Sequence, residues 1–327
     1  MKYFDVITIG SATRDVYLRS RGIKVVRDDA FTTGEAECFA LGSKIEVDKI
    51  VFETGGGGTN TAVSFSRQGL RTAFIGKIGA SDARGQEIIK ALAAEKVDTA
   101  YVRVDRKRMT AYSVLLLTPR GERTALVYRG ASAHFKSADL PENGYRTKWF
   151  YISSLGGELS ILRKIWLIAQ RHNIKIAWNP GQNELALGLL KLKPLLKNVD
   201  LFSVNQEEAA QLCRRTRDQD VQAFNELRRI VPGLTVVTQG TEGSLAGNPR
   251  QAWHCDTRRI KVIDTTGAGD AFCSGLLGGI IRWGKIPVAL QFGTFNAESV
   301  IQHLGAKQGL LRRTSNVRLG LKVTILK

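Results

Sequence analysis

Cysteine is scarce in this chain. Cys38, Cys213, Cys255 and Cys273 are the four present in 327 residues, and no two are spaced Cys-x-x-Cys. That excludes a disulfide framework and a thiolate zinc site, and a reducing, cytoplasmic setting is expected. No apolar run reaches about 18 residues, so no membrane-spanning helix is expected. Met1-Lys2-Tyr3-Phe4-Asp5 enters a strand pattern directly, without the apolar core of a secretory signal. No basic motif interleaved with aromatics and no zinc-finger spacing occurs, so no specific nucleic-acid partner is expected. Internal repeats, low-complexity tracts and Pro/Gly/Ser linkers are missing as well. A single domain over residues 1–327 is the expectation. Acidic residues also run out: none follows Glu298, whereas Lys307, Arg312, Arg313, Arg318, Lys322 and Lys327 do.

What is present is a core-forming composition, 43% hydrophobic, with a net charge of +18. Such a charge attracts polyanions, and it equally draws in a small anionic substrate such as ATP. A solvated basic surface accounts for most of it.

The chain opens on the buried-strand run Phe4-Asp5-Val6-Ile7-Thr8-Ile9, closed by Gly10, with Ser11 to Asp15 read as a turn at its carboxyl end. Ligands of open α/β sheets bind at that end, which makes Asp15 a candidate for substrate hydroxyls or, equally, a turn cap. Residues 16–53 alternate or run short, as in Lys44 to Phe52. This predicts a small exposed sheet beside the core, together with a hairpin near 112–128 around Thr118-Pro119-Arg120-Gly121-Glu122. Such a sheet is a candidate lid, and its edges need covering, for which a second subunit in a homodimer is one candidate. Gly55-Gly56-Gly57-Gly58-Thr59-Asn60 then leads straight into an amphipathic helix. From Trp149 the chain alternates strand and helix, which predicts a mostly parallel sheet covered by helices, with polar strand ends along one crevice. Asn205-x-x-Glu208 puts an amide and a carboxylate on one helical face. That suits Mg²⁺ on nucleotide phosphates, or a plain helix-capping box.

The most informative stretch is Asp264-Thr265-Thr266-Gly267-Ala268-Gly269-Asp270-Ala271-Phe272. It follows the β-like run Ile260 to Ile263 and opens a helix through Trp283, so it reads as strand, glycine turn, buried helix. It is neither Gly-x-x-x-x-Gly-Lys-Ser/Thr nor Gly-x-Gly-x-x-Gly. A helix start offers unpaired N–H groups and partial positive charge, and the glycines let an anion approach. Asp270 in the first turn sets a carboxylate beside that cradle. An anion cradle and a proton acceptor together suit phosphoryl transfer to a hydroxyl.

This string resembles the C-terminal signature of the ribokinase-like (PfkB) carbohydrate kinases. Gly-Gly-x-x-x-Asn at 55–60 resembles their N-terminal signature, although Gly57 stands where the family often has Lys. Segments 10–15, 205–208 and Thr238-Gln239-Gly240-x-x-Gly243 are similar in turn, in family order, as are Gly121-Glu122-Arg123-Thr124 and Arg129-Gly130-Ala131. The resemblance runs from about residue 3 to 311. It implies a Rossmann-like mostly parallel sheet flanked by helices, a small β-sheet lid, Mg·ATP as donor and a hydroxymethyl-bearing acceptor. It implies Asp270 as base, with Gly267, Ala268 and Gly269 as anion hole. Asp15, Gly56 and Asn60 would hold the acceptor, and Asn205, Thr238, Gly240, Gly243 and Asn296 the nucleotide. Glu208 would take Mg²⁺ through water, and the carbonyls of Asp264 and Thr266 a monovalent cation such as K⁺. A sugar kinase leads on this reading. A nucleoside kinase of the same fold and a non-catalytic nucleotide- or sugar-binding protein are the alternatives.

Overall fold

Residues 2–31, 34–80, 82–118, 123–141, 145–313 and 319–326 are described by a computed structural model of the chain. The opening apolar run becomes the strand Phe4–Ile9, paired in parallel with Thr72–Ile75 on one side and Thr147–Ile152 on the other. Lys175–Trp178, Leu201–Asn205 and Leu234–Thr238 continue the parallel order outward. Ser244–Gly247, Ala252–Cys255 and Val323–Leu326 then close the nine-stranded sheet as antiparallel strands.

Both faces of this sheet are covered, which is why its strands read as nearly continuous apolar runs. Successive side chains point to opposite faces. Ile7, Ile9, Phe150, Ile152 and Phe202 meet helices Leu159–His172, Leu189–Leu196 and Asp220–Ile230 in one core. Val6, Trp149, Tyr151 and Leu201 meet helices Gly57–Arg67, Ala268–Trp283 and Ile286–Val300 in another. Each such large side chain, fully buried, contributes about 1.5–3 kcal/mol.

A separate four-stranded sheet stands beside this core, in the order Arg123–Tyr128, Ala111–Leu117, Thr13–Arg19, Lys49–Gly55. Its two inner strands are parallel and the outer pairings antiparallel. Val16, Tyr17 and Leu115 are buried, while Ile50, Phe52, Leu126 and Val127 are exposed. Lys24–Arg27 and Glu35–Cys38 form a two-stranded ribbon, and Lys44–Asp48 is not strand. Pro119 to Glu122, the expected hairpin turn with its Gly-Glu pair, lies outside the described residues.

Two local expectations change. Asp15 does not sit in a turn: it lies within Thr13–Arg19, in register with Glu53 on one side and Ser113 on the other. Ile260 to Ile263 is not a strand either. Ala252–Cys255, the strand before it, already has a partner on each side. The segment instead crosses to the end of helix Ile286–Val300, where Ile263 N–H donates to the Ile301 carbonyl at 2.8 Å. Val262 and Ile263 are half exposed as a result.

Candidate active site

The turn before helix Ala268–Trp283 is held by Asp264. Its Oδ1 accepts from Thr266 N–H at 2.9 Å and Thr266 Oγ1 at 2.6 Å, and its Oδ2 accepts from Gly305 N–H at 2.9 Å. Gly267, the N-cap, has φ 76°, a left-handed conformation that glycine adopts without penalty. A side chain there would also run into Ala306. The Ala268 N–H is partly spent on the Thr265 carbonyl, at 3.2 Å. At Gly269 the picture reverses: an added Cβ would meet nothing within 4 Å. The start of this helix therefore looks onto open space, with its dipole end and first N–H groups toward it.

Asp270 is the next residue of that helix. Asn60, from helix Gly57–Arg67, donates its Nδ2 to Asp270 Oδ2 at 2.8 Å. Burial raises the Asp270 acid above the usual carboxylate range, offset in part by the Asn60 hydrogen bond and by the charge of Lys307. Asn60 Oδ1 is buried with no hydrogen-bond partner among the described residues. The two helices are locked together behind this pair by hydroxyls and amides. Ser274 Oγ lies 2.7 Å from Ser64 Oγ and donates to the Asp270 carbonyl at 2.6 Å, and Gln68 Nε2 donates to Ser64 Oγ at 3.0 Å.

The four-glycine run brings Asp15 to the same place by leaving no room for anything else. A Cβ at Gly55 would overlap Asp15 Oδ2, and one at Gly56 would lie 2.5 Å from the Ser11 carbonyl oxygen. At Gly57 it would stand 2.9 Å from Ser153 Cβ and 3.2 Å from Asp270 Oδ1, and at Gly58 2.7 Å from Phe74 Cε2. Asp15 is buried. Desolvation raises its acid, against hydrogen bonds from Thr13 and Ser113 and the charges of Lys307 and Arg14. Asp15, Gly56, Asn60 and Asp270 thus converge although up to 255 positions separate them in the chain.

Lys307 joins them without any advance signal beyond its place in the basic C-terminal stretch. Its buried ammonium donates to Thr59 Oγ1 at 2.9 Å, to Thr54 Oγ1 at 3.1 Å and to the Thr54 carbonyl. Burial pulls its pKa down to about 8, against the pull of Asp15, Glu53 and Asp270.

Asn205 and Thr238 are register partners at the carboxyl ends of neighbouring parallel strands. Asn205 and Glu208 form a reciprocal capping box. Asn205 Oδ1 accepts from Glu208 N–H at 2.8 Å, and Glu208 Oε2 accepts from Asn205 N–H at 2.9 Å. Burial still raises the Glu208 acid. Gly240, with φ 60°, opens onto free space, whereas a side chain at Gly243 would overlap the Cys255 carbonyl. Asn296 is not brought to this surface. It is fully buried, its Nδ2 donating to the Ala271 carbonyl at 2.7 Å and its Oδ1 accepting from Leu311 N–H at 2.9 Å. Its amide is spent inside the core, which corrects its expected place beside the nucleotide.

The model of the pfkB family carbohydrate kinases matches residues 5–312. Among relatives, the chain is 30% identical to the aminoimidazole riboside kinase of Salmonella typhimurium over 238 residues, covering 68% of this chain and 72% of that protein. It is 31% identical to a fructokinase of Klebsiella pneumoniae over 242 residues, covering 70% and 78%. The solved structure of a probable sugar kinase from Rhizobium etli superposes with a TM-score of 0.77 at 23% identity, over 95% of this chain and 97% of that one. The fold is therefore ribokinase-like. The chain belongs to the pfkB family of carbohydrate kinases and is an ATP-dependent kinase.

Proposed function

We propose that this kinase moves the γ-phosphoryl group of Mg·ATP to a hydroxyl of a sugar or sugar-like acceptor. Asp270 is the general base, and the helix start at Gly267, Ala268 and Gly269 is the anion hole. One observation carries the reading: the Asp270 carboxylate is fixed by Asn60 at 2.8 Å, one residue beyond Gly269, where an added Cβ would meet nothing within 4 Å. An acceptor hydroxyl there loses its proton to Asp270 as its oxygen bonds to the γ-phosphorus. The bond from phosphorus to the β-phosphate oxygen breaks, and ADP leaves. N–H groups and the helix dipole meet the charge that spreads over the phosphoryl oxygens.

Asp15, Gly56 and Asn60 hold the acceptor. The buried Asn60 Oδ1 is a ready partner for a sugar hydroxyl. Thr238, Gly240 and Gly243 border the nucleotide, with Asn205 near its phosphates. Magnesium suits Glu208: this carboxylate is desolvated, and the capping box engages Oε2 and not Oε1. Among the described residues no cluster of three or more His, Cys, Asp or Glu forms a cage, so the nucleotide phosphates would supply most of the ligands. Bound there, the ion neutralises phosphate charge. The loop that Asp264 fixes would offer the carbonyls of Asp264 and Thr266 to K⁺. The four-stranded sheet is the lid over the acceptor, and Ile50, Phe52 and Leu126, exposed on one of its faces, are the face for a homodimer. Four free cysteines accord with a cytoplasmic location. A nucleoside acceptor is the second reading, favoured by the 30% identity to a riboside kinase.

The test is ADP release with Mg·ATP across pentoses, hexoses, sugar acids and nucleosides, beside Asp270→Asn. This substitution keeps the shape and removes the base. It lowers kcat by roughly 10² or more, with ATP affinity within a few-fold. Because burial raises the Asp270 acid, wild-type activity falls with acid at a higher pH than an ordinary aspartate would give. Near-normal kcat in the asparagine variant refutes the assignment.

A further inference from the structure

We propose that Lys307 is a positioning residue for this reaction: its ammonium ties the end of lid strand Lys49–Gly55 to the first turn of helix Gly57–Arg67 and is the counter-charge for Asp15 and Asp270. The inference rests on the roles just given to those two carboxylates. Its geometry is independent of them.

An ammonium has three N–H donors. Those of Lys307 go to the Thr54 carbonyl, Thr54 Oγ1 and Thr59 Oγ1, so none is left to bind a ligand directly. Each partner leads to a site residue. Thr54 precedes Gly55, against whose backbone the Asp15 carboxylate lies. Thr59 precedes Asn60, which holds Asp270. Behind the lysine, Arg67 Nη1 donates to the Lys307 carbonyl at 2.6 Å, and Gly305 N–H donates to Asp264. The segment 305–307 therefore touches the lid strand, the acceptor helix and the anion-hole turn together.

Burying an ammonium against neutral oxygens is costly, and an apolar side chain of similar length serves packing better. The charge accounts for the choice. Asp15, Glu53 and Asp270 all act on Lys307, and among the described residues it is the cation that acts on Asp270. Position 57 offers no alternative seat, since its Cβ would already press on Ser153. The other groups near Asp270 stay neutral across the working range: burial pushes the Cys273 thiol up to about 12 and the Tyr151 hydroxyl well above its usual value. Asp15 also faces Arg14, and Lys307 faces Arg67.

Removing the ammonium takes away a positive charge that favours ionised Asp270, so the Asp270 midpoint rises. The experiment compares wild type with Lys307→Met and Lys307→Gln. Glutamine keeps a polar side chain near the threonines without the charge, and serves where methionine does not fold. In protein labelled with ¹³C at aspartate carboxyls, the signal missing from Asp270→Asn identifies Asp270. Its titration midpoint moves up by about one pH unit in either lysine variant. On the acid side of that midpoint, kcat/KM for the best acceptor of the panel is about tenfold below wild type at the same pH. An unmoved midpoint in a folded variant overturns the proposal. If Asp270→Asn is active instead, the base assignment fails, and the carboxyl titration still decides the role of Lys307.

Discussion

Replacing Gly269 by alanine separates folding from chemistry at the helix start. Gly269 is the second residue of helix Ala268–Trp283, and its φ is not in the left-handed region. The new methyl meets no protein atom within 4 Å. Alanine is favoured over glycine within a helix by roughly 0.5–1 kcal/mol, and less near an end. With an unfolding entropy of about 2.1 cal/mol/K per residue, a chain of this length gains about 1 °C in Tm at most. On the proposed mechanism the same methyl fills the space where the transferred phosphoryl group is held, pushing its oxygens off the N–H donors. Losing one such donor typically costs about 10²–10³ in kcat. Gly267→Ala is the contrasting variant: with φ 76° and Ala306 in the way, it loses stability as well as activity. ADP-coupled turnover and thermal unfolding read the two effects side by side. Full kcat in Gly269→Ala places the phosphoryl group elsewhere. A fall in activity that only follows a fall in Tm refutes the open-cradle reasoning equally.

Asp15→Ala weakens acceptor binding by about 1.5–3 kcal/mol, read as acceptor KM or calorimetric affinity, and leaves ATP binding nearly unchanged. Equal losses for the two ligands would remove Asp15 from the acceptor site. Glu208→Gln keeps the capping box, because glutamine serves at that position, and so keeps the fold. It raises the Mg²⁺ concentration for half-maximal rate several-fold at unchanged acceptor KM, and an unchanged Mg²⁺ requirement would leave Glu208 a helix cap alone.

The parallel sheet was legible because strands buried on both faces read as nearly continuous apolar runs. Trp149 to Ile152 and Leu201 to Val204 are examples. Ile260 to Ile263 carries the same local signal and fails, since pairing depends on a partner elsewhere in the chain, and the outer side of Ala252–Cys255 is taken by Val323–Leu326. Asp270 was visible through its helix start, a local arrangement. Its hydrogen bond to Asn60 spans 210 positions and has no local trace. Lys307 was hidden for the same reason: its three acceptors lie about 250 residues earlier, and its own neighbours read as basic surface. Asn296 misled because a buried amide and a ligand-facing amide look alike in sequence. Only the Ser64, Ala271 and Leu311 contacts tell them apart.

The run Gly55–Gly58 also bears on how this gene can vary. Every missense change in a glycine codon adds at least a Cβ. At these four codons the added atom meets, in turn, Asp15, the Ser11 carbonyl, Ser153 and Phe74. A stretch that composition alone would class with flexible linkers is therefore closed to neutral drift. Gly320, whose surroundings are empty and whose φ is not in the left-handed region, lies under no such steric ban. In a saturation library selected for kinase activity, codons 55–58 should return glycine alone, and the neighbouring lid codons 49–52, whose side chains are largely exposed, should return a broad mixture.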